Sequence, residues 1–215
     1  MARQGDRGHG DAHREPGGNR PGPWDWPRTF VARGGAVPLQ KKHLRHHPAQ
    51  AHTGRLHCFV LDCSASMVAS GGLARAKGVL LALMGEAYRH RDDVALLCFG
   101  GSGVQLRVPP QRAPAWSDGW VAPIGGGGGT PLLSAVARAG EVLQGARGRQ
   151  GWLWLLTDAR TREQPDRPAS AHGACVVDFD AARVPLHRAE WLAQRWQARY
   201  LAADAWAQSQ DAIKK

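Results

Sequence analysis

Two runs of the chain are apolar on both faces and stop at an aspartate: LHCFVLD (56–62) and GWLWLLTD (151–158). A strand with one wet face alternates apolar and polar residues. A strand without alternation is buried on both sides, as in a parallel sheet covered by helices. DVALLCFGG (93–101) and GACVVDF (173–179) have the same character. Between these runs the period changes. Leu73, Ala76, Leu80, Leu83, Met84 and Ala87 fall on one helical face, which predicts an amphipathic helix over 73–90. Leu186, Ala189, Leu192, Ala193 and Trp196 predict another over 186–198. GGGGGTPL (125–132) opens a helix to about 145, with Pro131 suited to its first turn. GVQLRVP (103–109) alternates after a glycine turn and reads as an antiparallel edge strand. Residues 111–121 read as irregular or briefly helical, 160–173 as a surface loop, and ARYLAADAW as a short strand and a last helix. Strands alternating with helices predict an α/β three-layer sandwich, its sheet mostly parallel with one antiparallel edge strand.

The chain ahead of this pattern has another composition. Its first 23 residues hold nine Gly or Pro and almost nothing apolar, too little to offset the entropy of ordering. Residues 1–27 are therefore expected to be a disordered basic tail, 28–55 a basic lead-in and 56–213 the folded domain. Up to residue 57 there are ten Lys/Arg against four Asp/Glu; beyond it, eighteen against fourteen. Trp24 and Trp26 suit docking on a folded body or on a partner. In KKHLRHHPAQAH (41–52), His43, His46 and His47 have spacings that can share a face. A solvated basic lead-in, a metal site and a phosphate-binding patch are all compatible with it, although no aromatics interleave the basic residues. No run reaches the roughly 18 apolar residues of a membrane-spanning helix, and no signal peptide is visible. The four Cys form no CxxC pair. Buried reduced thiols without an export signal point to the cytoplasm.

Chemistry gathers where strands end. In open α/β sheets, ligands bind outside the carboxyl ends of the strands, at the switch point of their order. Asp62 ends the first run, and Ser64 and Ser66 follow at steps of two. Thr130 follows glycines that let the backbone bend back over the site. Asp158 ends a neighbouring core run. Two carboxylates and three hydroxyls form an all-oxygen set, which suits a hard divalent cation. Singly, such an Asp is often a helix N-cap and a glycine run a plain loop; the conjunction at strand ends carries the reading.

The residues D-C-S-A-S (62–66), Thr130 in GGGGGTPL and Asp158 in LLTDAR resemble the metal-ion-dependent adhesion site of von Willebrand factor A domains. The stretch ARAKGVLLALMGEAYRHRDDVALLCFGGSGVQLRVPP, the glycine loop and WLWLLTDAR look like the von Willebrand A domain of magnesium chelatase D subunits. The cobalt chelatases of cobalamin synthesis are similar, and so is the close, ACVVDFD with RAEWLAQRWQARYL. The likeness spans roughly residues 55–205. It implies a Rossmann-like von Willebrand A fold with Asp62, Ser64, Ser66, Thr130 and Asp158 as ligands of Mg2+ or Mn2+. The hydroxyls would bind directly and the Asp pair directly or through water. Two departures stand out. The family's ATPase-like domain and acidic Pro-rich linker are replaced by a basic lead of about 55 residues, and Ala159 stands where the motif usually has Gly.

The resemblance implies a non-catalytic accessory subunit of an ATP-dependent magnesium or cobalt chelatase. Its metal would dock onto an acidic residue of the AAA+ ATPase subunit or of the large porphyrin- or corrin-binding subunit. The sequence has no GxxxxGK[ST] for ATP and no nucleophile with an evident paired base. A stand-alone von Willebrand A protein serving another AAA+ ATPase or a metal-homeostasis complex is the alternative. Nucleic-acid binding through the basic N-terminal segment is a minor one. Trp152 and Trp154 read as core, and Trp116 and Trp120 as core or partner face. Arg160 and Arg162 read as exposed, and Asp178 and Asp180 as loop or cap residues.

Overall fold

The computed structural model describes residues 29, 32–34, 38–45, 54–115, 121, 124–146 and 148–205. Trp24, Trp26, His46, His47, Trp116 and Trp120 lie outside the described residues, as does the expected tail over 1–27. The chain divides into two compact units, Met1–Ala51 and His52–Lys215. In the first, Lys41–His43 form a single 3-10 turn. The Gln40 N–H donates to His43 Nδ1 at 3.2 Å, which occupies one of that ring's two ligating atoms. The Arg45 N–H donates to the Thr29 hydroxyl at 2.9 Å.

The second unit is built on a six-stranded sheet. Its strands are β1 (Arg55–Asp62), β2 (Asp93–Gly100), β3 (Gly103–Arg112), β4 (Gln150–Thr157), β5 (Gly173–Asp178) and β6 (Arg199–Ala202). They lie in the order β3-β2-β1-β4-β5-β6. Every neighbouring pair is parallel except β2 with β3, which is antiparallel at the sheet's edge. The expected architecture is present, with each predicted strand within three residues of its place. β2 is buried throughout and β1 over nearly all its length, as runs without alternation require. β3 shows the opposite pattern, nearly every residue exposed or half-buried.

The connecting helices are α1 (Ala65–Ala69), α2 (Gly72–Arg89), α3 (Leu132–Gln144) and α4 (Arg188–Arg195). The sheet separates two apolar layers. On one side Leu73, Ala76, Leu80, Leu83 and Met84 of α2 pack with Phe59, Leu61 and Leu96. On the other, Ala135, Val136 and Ala139 of α3 and Leu192 and Ala193 of α4 pack with Cys58, Val60, Leu97, Leu153 and Val176. Alternate residues of a strand point to opposite faces, so odd and even positions of β1 divide between these layers. Trp152 and Trp154 are half-buried rather than fully enclosed. Trp154 packs at the edge of the α2 layer, its indole N–H donating to His57 Nδ1 at 3.0 Å. Among the described residues no helix is long and apolar enough to cross a membrane.

Candidate functional site

The strand order reverses direction at β1. The path from β1 to β2 runs through α1 and α2 on one face, and the path from β3 to β4 runs through α3 on the other. In sheets of this kind ligands bind beyond the carboxyl ends of the strands at such a switch point, here β1 and β4. Asp62 is the last residue of β1. Leu61 pairs with Leu156, which puts Asp62 level with Thr157 and places Asp158 one residue past the end of β4.

Asp62 is fully buried and its carboxylate is held from both sides. Oδ1 accepts the Ser64 N–H at 2.8 Å, and Oδ2 accepts the Thr157 hydroxyl at 2.5 Å. Thr157 Oγ1 in turn accepts the Ala159 N–H at 2.8 Å. Burial pushes the Asp62 carboxyl above the usual carboxylate range, and the hydrogen bonds from Thr157 and Ser64 pull it partly back. Asp158, close enough for its charge to be felt, adds to the rise. Thr157 was passed over in the sequence as a strand residue. The signal was its place immediately before an Asp that ends a buried strand.

The two serines follow at the start of α1. Ser64 is buried, Ser66 half-buried, and their hydroxyl oxygens lie 3.2 Å apart. Asp158 is 3% exposed; its Oδ1 accepts the Arg160 N–H at 3.0 Å, and its Oδ2 takes no hydrogen bond from the described residues. Arg160 and Arg162 are exposed. Asp178 and Asp180 do hold a loop: Asp180 accepts the N–H groups of Ala182 and Leu186 at 3.2 and 3.0 Å. Asp178 accepts the Asp180 N–H at 2.8 Å and the Tyr200 hydroxyl at 2.9 Å.

The glycine loop is sewn to this rim by its backbone. The Ala65 N–H donates to Gly128 O at 3.0 Å, the Gly127 N–H to Cys63 O at 2.7 Å, and the Gly101 N–H to Gly127 O at 2.7 Å. A Cβ on Gly126 would stand 2.6 Å from Cys63 O, and one on Gly101 would stand 2.6 Å from Gly128 Cα. The glycines are therefore required for close approach. Thr130 lies two residues beyond Gly128, half-buried, just ahead of α3.

The donor set fits a hard cation by its chemistry. It combines two buried carboxylates close enough for the charge of Asp158 to act on Asp62, one of them with an oxygen that takes no hydrogen bond from the described residues, and the paired hydroxyls of Ser64 and Ser66, of which Ser64 also bonds the Asp62 carboxylate. No group of three or more His, Cys, Asp or Glu is found among the described residues, so nitrogen and sulfur ligation of the zinc type has no counterpart there. Ala159 adopts φ 49° and is buried against the α3 layer.

Comparison with known proteins follows the same lines. A family model described as von Willebrand factor type A domain matches residues 58–160. The magnesium-chelatase 60 kDa subunit of Cereibacter sphaeroides is 33% identical over 199 residues, 84% of this chain and 36% of that protein. The magnesium-chelatase 67 kDa subunit of Heliobacterium mobile is 39% identical over 111 residues, 50% of this chain and 16% of that protein. This chain therefore spans about a third or less of these relatives. Among solved structures, the D319A mutant of the PilB minor pilin from Streptococcus sanguinis aligns with TM-score 0.56 at 13% identity. The alignment covers 80% of this chain and 63% of that one, and reflects a shared fold.

Proposed function

Residues 58–160 of this chain are a von Willebrand factor type A domain, and from that premise we propose that the chain is a Mg2+-dependent interaction module of a metal chelatase. The observation that carries this reading is the conjunction at the β1–β4 switch point. Asp62 and Asp158 cap adjacent parallel strands there, and a glycine loop is bonded to the backbone of Cys63 and Ala65 between them. Ser64, Ser66 and Thr130 would ligate the ion directly, with Asp62 and Asp158 binding it directly or through water. When bound, the ion supplies an electrophilic position that a carboxylate from a partner can complete.

The chain's own residues explain why that position stays electrophilic. Asp62 is already engaged by Ser64 and Thr157, so its charge is shared with two protein donors. Three of the five ligands are neutral hydroxyls. A site that neutralises its cation incompletely favours an incoming anion. Arg160 and Arg162, both exposed, follow Asp158 in the chain. The relatives are named as subunits of magnesium chelatase. This supports a partner within a chelatase complex; on the proposed reading the partner group is an acidic residue of the AAA+ ATPase subunit or of the large tetrapyrrole-binding subunit. Insertion of the metal into the macrocycle then belongs to the partner, and the cargo ion is distinct from the one held here.

The test is capture of each purified chelatase subunit by the tagged chain in Mg2+ and in EDTA. Binding is expected in Mg2+, lost in EDTA and lost in Asp62→Ala. Equal capture in both buffers, or full capture by Asp62→Ala, would overturn the reading.

A further inference from the structure

The loop after Asp158 and the first turns of α3 and α4 enclose a small cleft of about 30 Å3. Leu132, Ala159, Thr161, Arg188, Trp191 and Leu192 line it. Its walls begin beside two of the candidate ligands. Ala159 follows Asp158, and the Leu132 N–H donates to Thr130 O at 2.8 Å. Along the chain, Leu132 is at most about 7 Å from Thr130, and Ala159 about 3.8 Å from Asp158. Trp191 is 44% exposed, and Leu133, next to the cleft in α3, is 50% exposed. Arg195 lies over the Trp191 ring at 5.6 Å, a cation–π contact. Exposed aromatic and aliphatic side chains of this kind mark interaction surfaces.

The charge around the cleft is one-sided. On the segments that line it, the carboxylates other than Asp158 are already engaged. Glu163 accepts the Leu133 N–H at 2.7 Å, Glu190 faces His187 Nδ1 at 3.3 Å, and Asp166 pairs with Arg195 at 2.6 Å. Arg188 donates to Thr161 O at 2.7 Å. Arg160 and Arg162, on either side of Thr161, are exposed. Arg160, Arg162 and Arg188 form no ion pair among the described residues. An apolar cleft among such cations complements an acidic partner.

We propose that this cleft is the specificity pocket for the docking partner. It takes one aliphatic side chain from an extended acidic segment of that partner, two residues from the carboxylate that reaches the metal position. The proposal rests on the interaction-module reading of the same rim. Alternate residues of an extended segment share a face and stand about 7 Å apart, which matches the chain spacing of Thr130 and Leu132. A cleft of this size receives the end of a Leu, Ile or Val side chain and excludes a ring.

The test titrates the full 15N-labelled chain, in Mg2+, with a short synthetic peptide. Its one Leu lies two residues after an Asp, and its other positions are Gly, Ser or Glu. Nuclear magnetic resonance is expected to show saturable shifts of the Trp191 indole N–H and of the Thr161 and Leu192 amides. Affinity is expected to fall about tenfold when Ser replaces the peptide's Leu, and about as much in Trp191→Ala. Arg160→Glu combined with Arg162→Glu is expected to weaken binding and flatten its salt dependence. Tyr88→Ala, exposed at the end of α2 before β2, is expected to bind as the parent does. An unshifted Trp191 indole at millimolar peptide would overturn the proposal, as would equal affinity for the Leu and Ser peptides. Shifts of the same resonances with protein concentration alone would make a second copy the occupant and also overturn it. Binding that needs Mg2+ but not the Leu removes the cleft and keeps the metal reading; binding that needs the Leu but persists in EDTA does the reverse. The two peptides are compared on the unsubstituted chain, so the outcome stands where a variant does not fold.

Discussion

Ala159 shows how one residue can carry opposing costs. Its φ of 49° lies in the left-handed region, which costs a residue with a Cβ about 1–2 kcal/mol. Its methyl is buried in the α3 layer, which returns about 0.8 kcal/mol. Glycine would relieve the strain but lose that burial and about 0.5–1 kcal/mol of backbone entropy. The terms nearly cancel, so Ala159→Gly is expected to leave the thermal midpoint within a few degrees of the parent. A clear loss would show that the methyl matters more than the strain. His57 is a second such residue. Its Nδ1 accepts the Trp154 indole N–H at 3.0 Å, so the neutral ring carries its proton on Nε2 and donates to Asp92 at 3.2 Å. A proton on Nδ1 would face the indole N–H. Burial pulls the imidazole below its ordinary value, and Asp92 only partly restores it. The unfolded chain therefore binds more protons as pH falls through the ordinary value of about 6.5. This contribution costs nothing above that pH and destabilises progressively below it. Thermal midpoints of His57→Gln, measured from pH 7 down to 5, are expected to fall less steeply than those of the parent. Parallel curves would remove His57 as the cause.

At the scale of elements, the glycine loop is the part that geometry constrains most. Gly128 has φ 76°, and a Cβ there would stand 2.3 Å from Gly101 Cα. A Cβ on Gly129 meets nothing within 4 Å. Gly128→Ala and Gly101→Ala must push two backbones apart and are expected to cost about 1–3 kcal/mol. Gly129→Ala is expected to be silent in stability. Chemical denaturation of the three variants checks this. A silent Gly101→Ala would mean that the loop does not need its close approach to β2. The glycine run was legible in the sequence as a bend, but its five members look alike there. Only the approach of Cys63 and Gly101 distinguishes Gly126 and Gly128 from Gly125 and Gly129. The same holds for α1. ASMVA has no helical stripe long enough to read, and it forms because the turn after β1 leads into it.

At the scale of the molecule, the His52–Lys215 unit contains the whole sheet, both apolar layers and every candidate ligand. A chain beginning at residue 54 is expected to keep its thermal midpoint within about 2 °C, a difference of about 0.5–1 kcal/mol at most, together with any Mg2+-induced rise. A larger drop would make the basic lead part of the folded body. What the sequence determined by itself was the class of fold and the position of two aspartates at the strand ends. Unbroken apolar runs demand burial on both faces, helical stripes demand a sheet to cover, and aspartates at run ends fall at the sheet's carboxyl rim. These are local consequences of burial and periodicity, which a linear chain displays. The tertiary structure decided which strands are neighbours, and hence that Asp62 meets Thr157 and that Gly101 and Gly128 touch. Such pairings join residues dozens of positions apart. Their energies arise only when two backbones meet, so no pattern along the chain announces them.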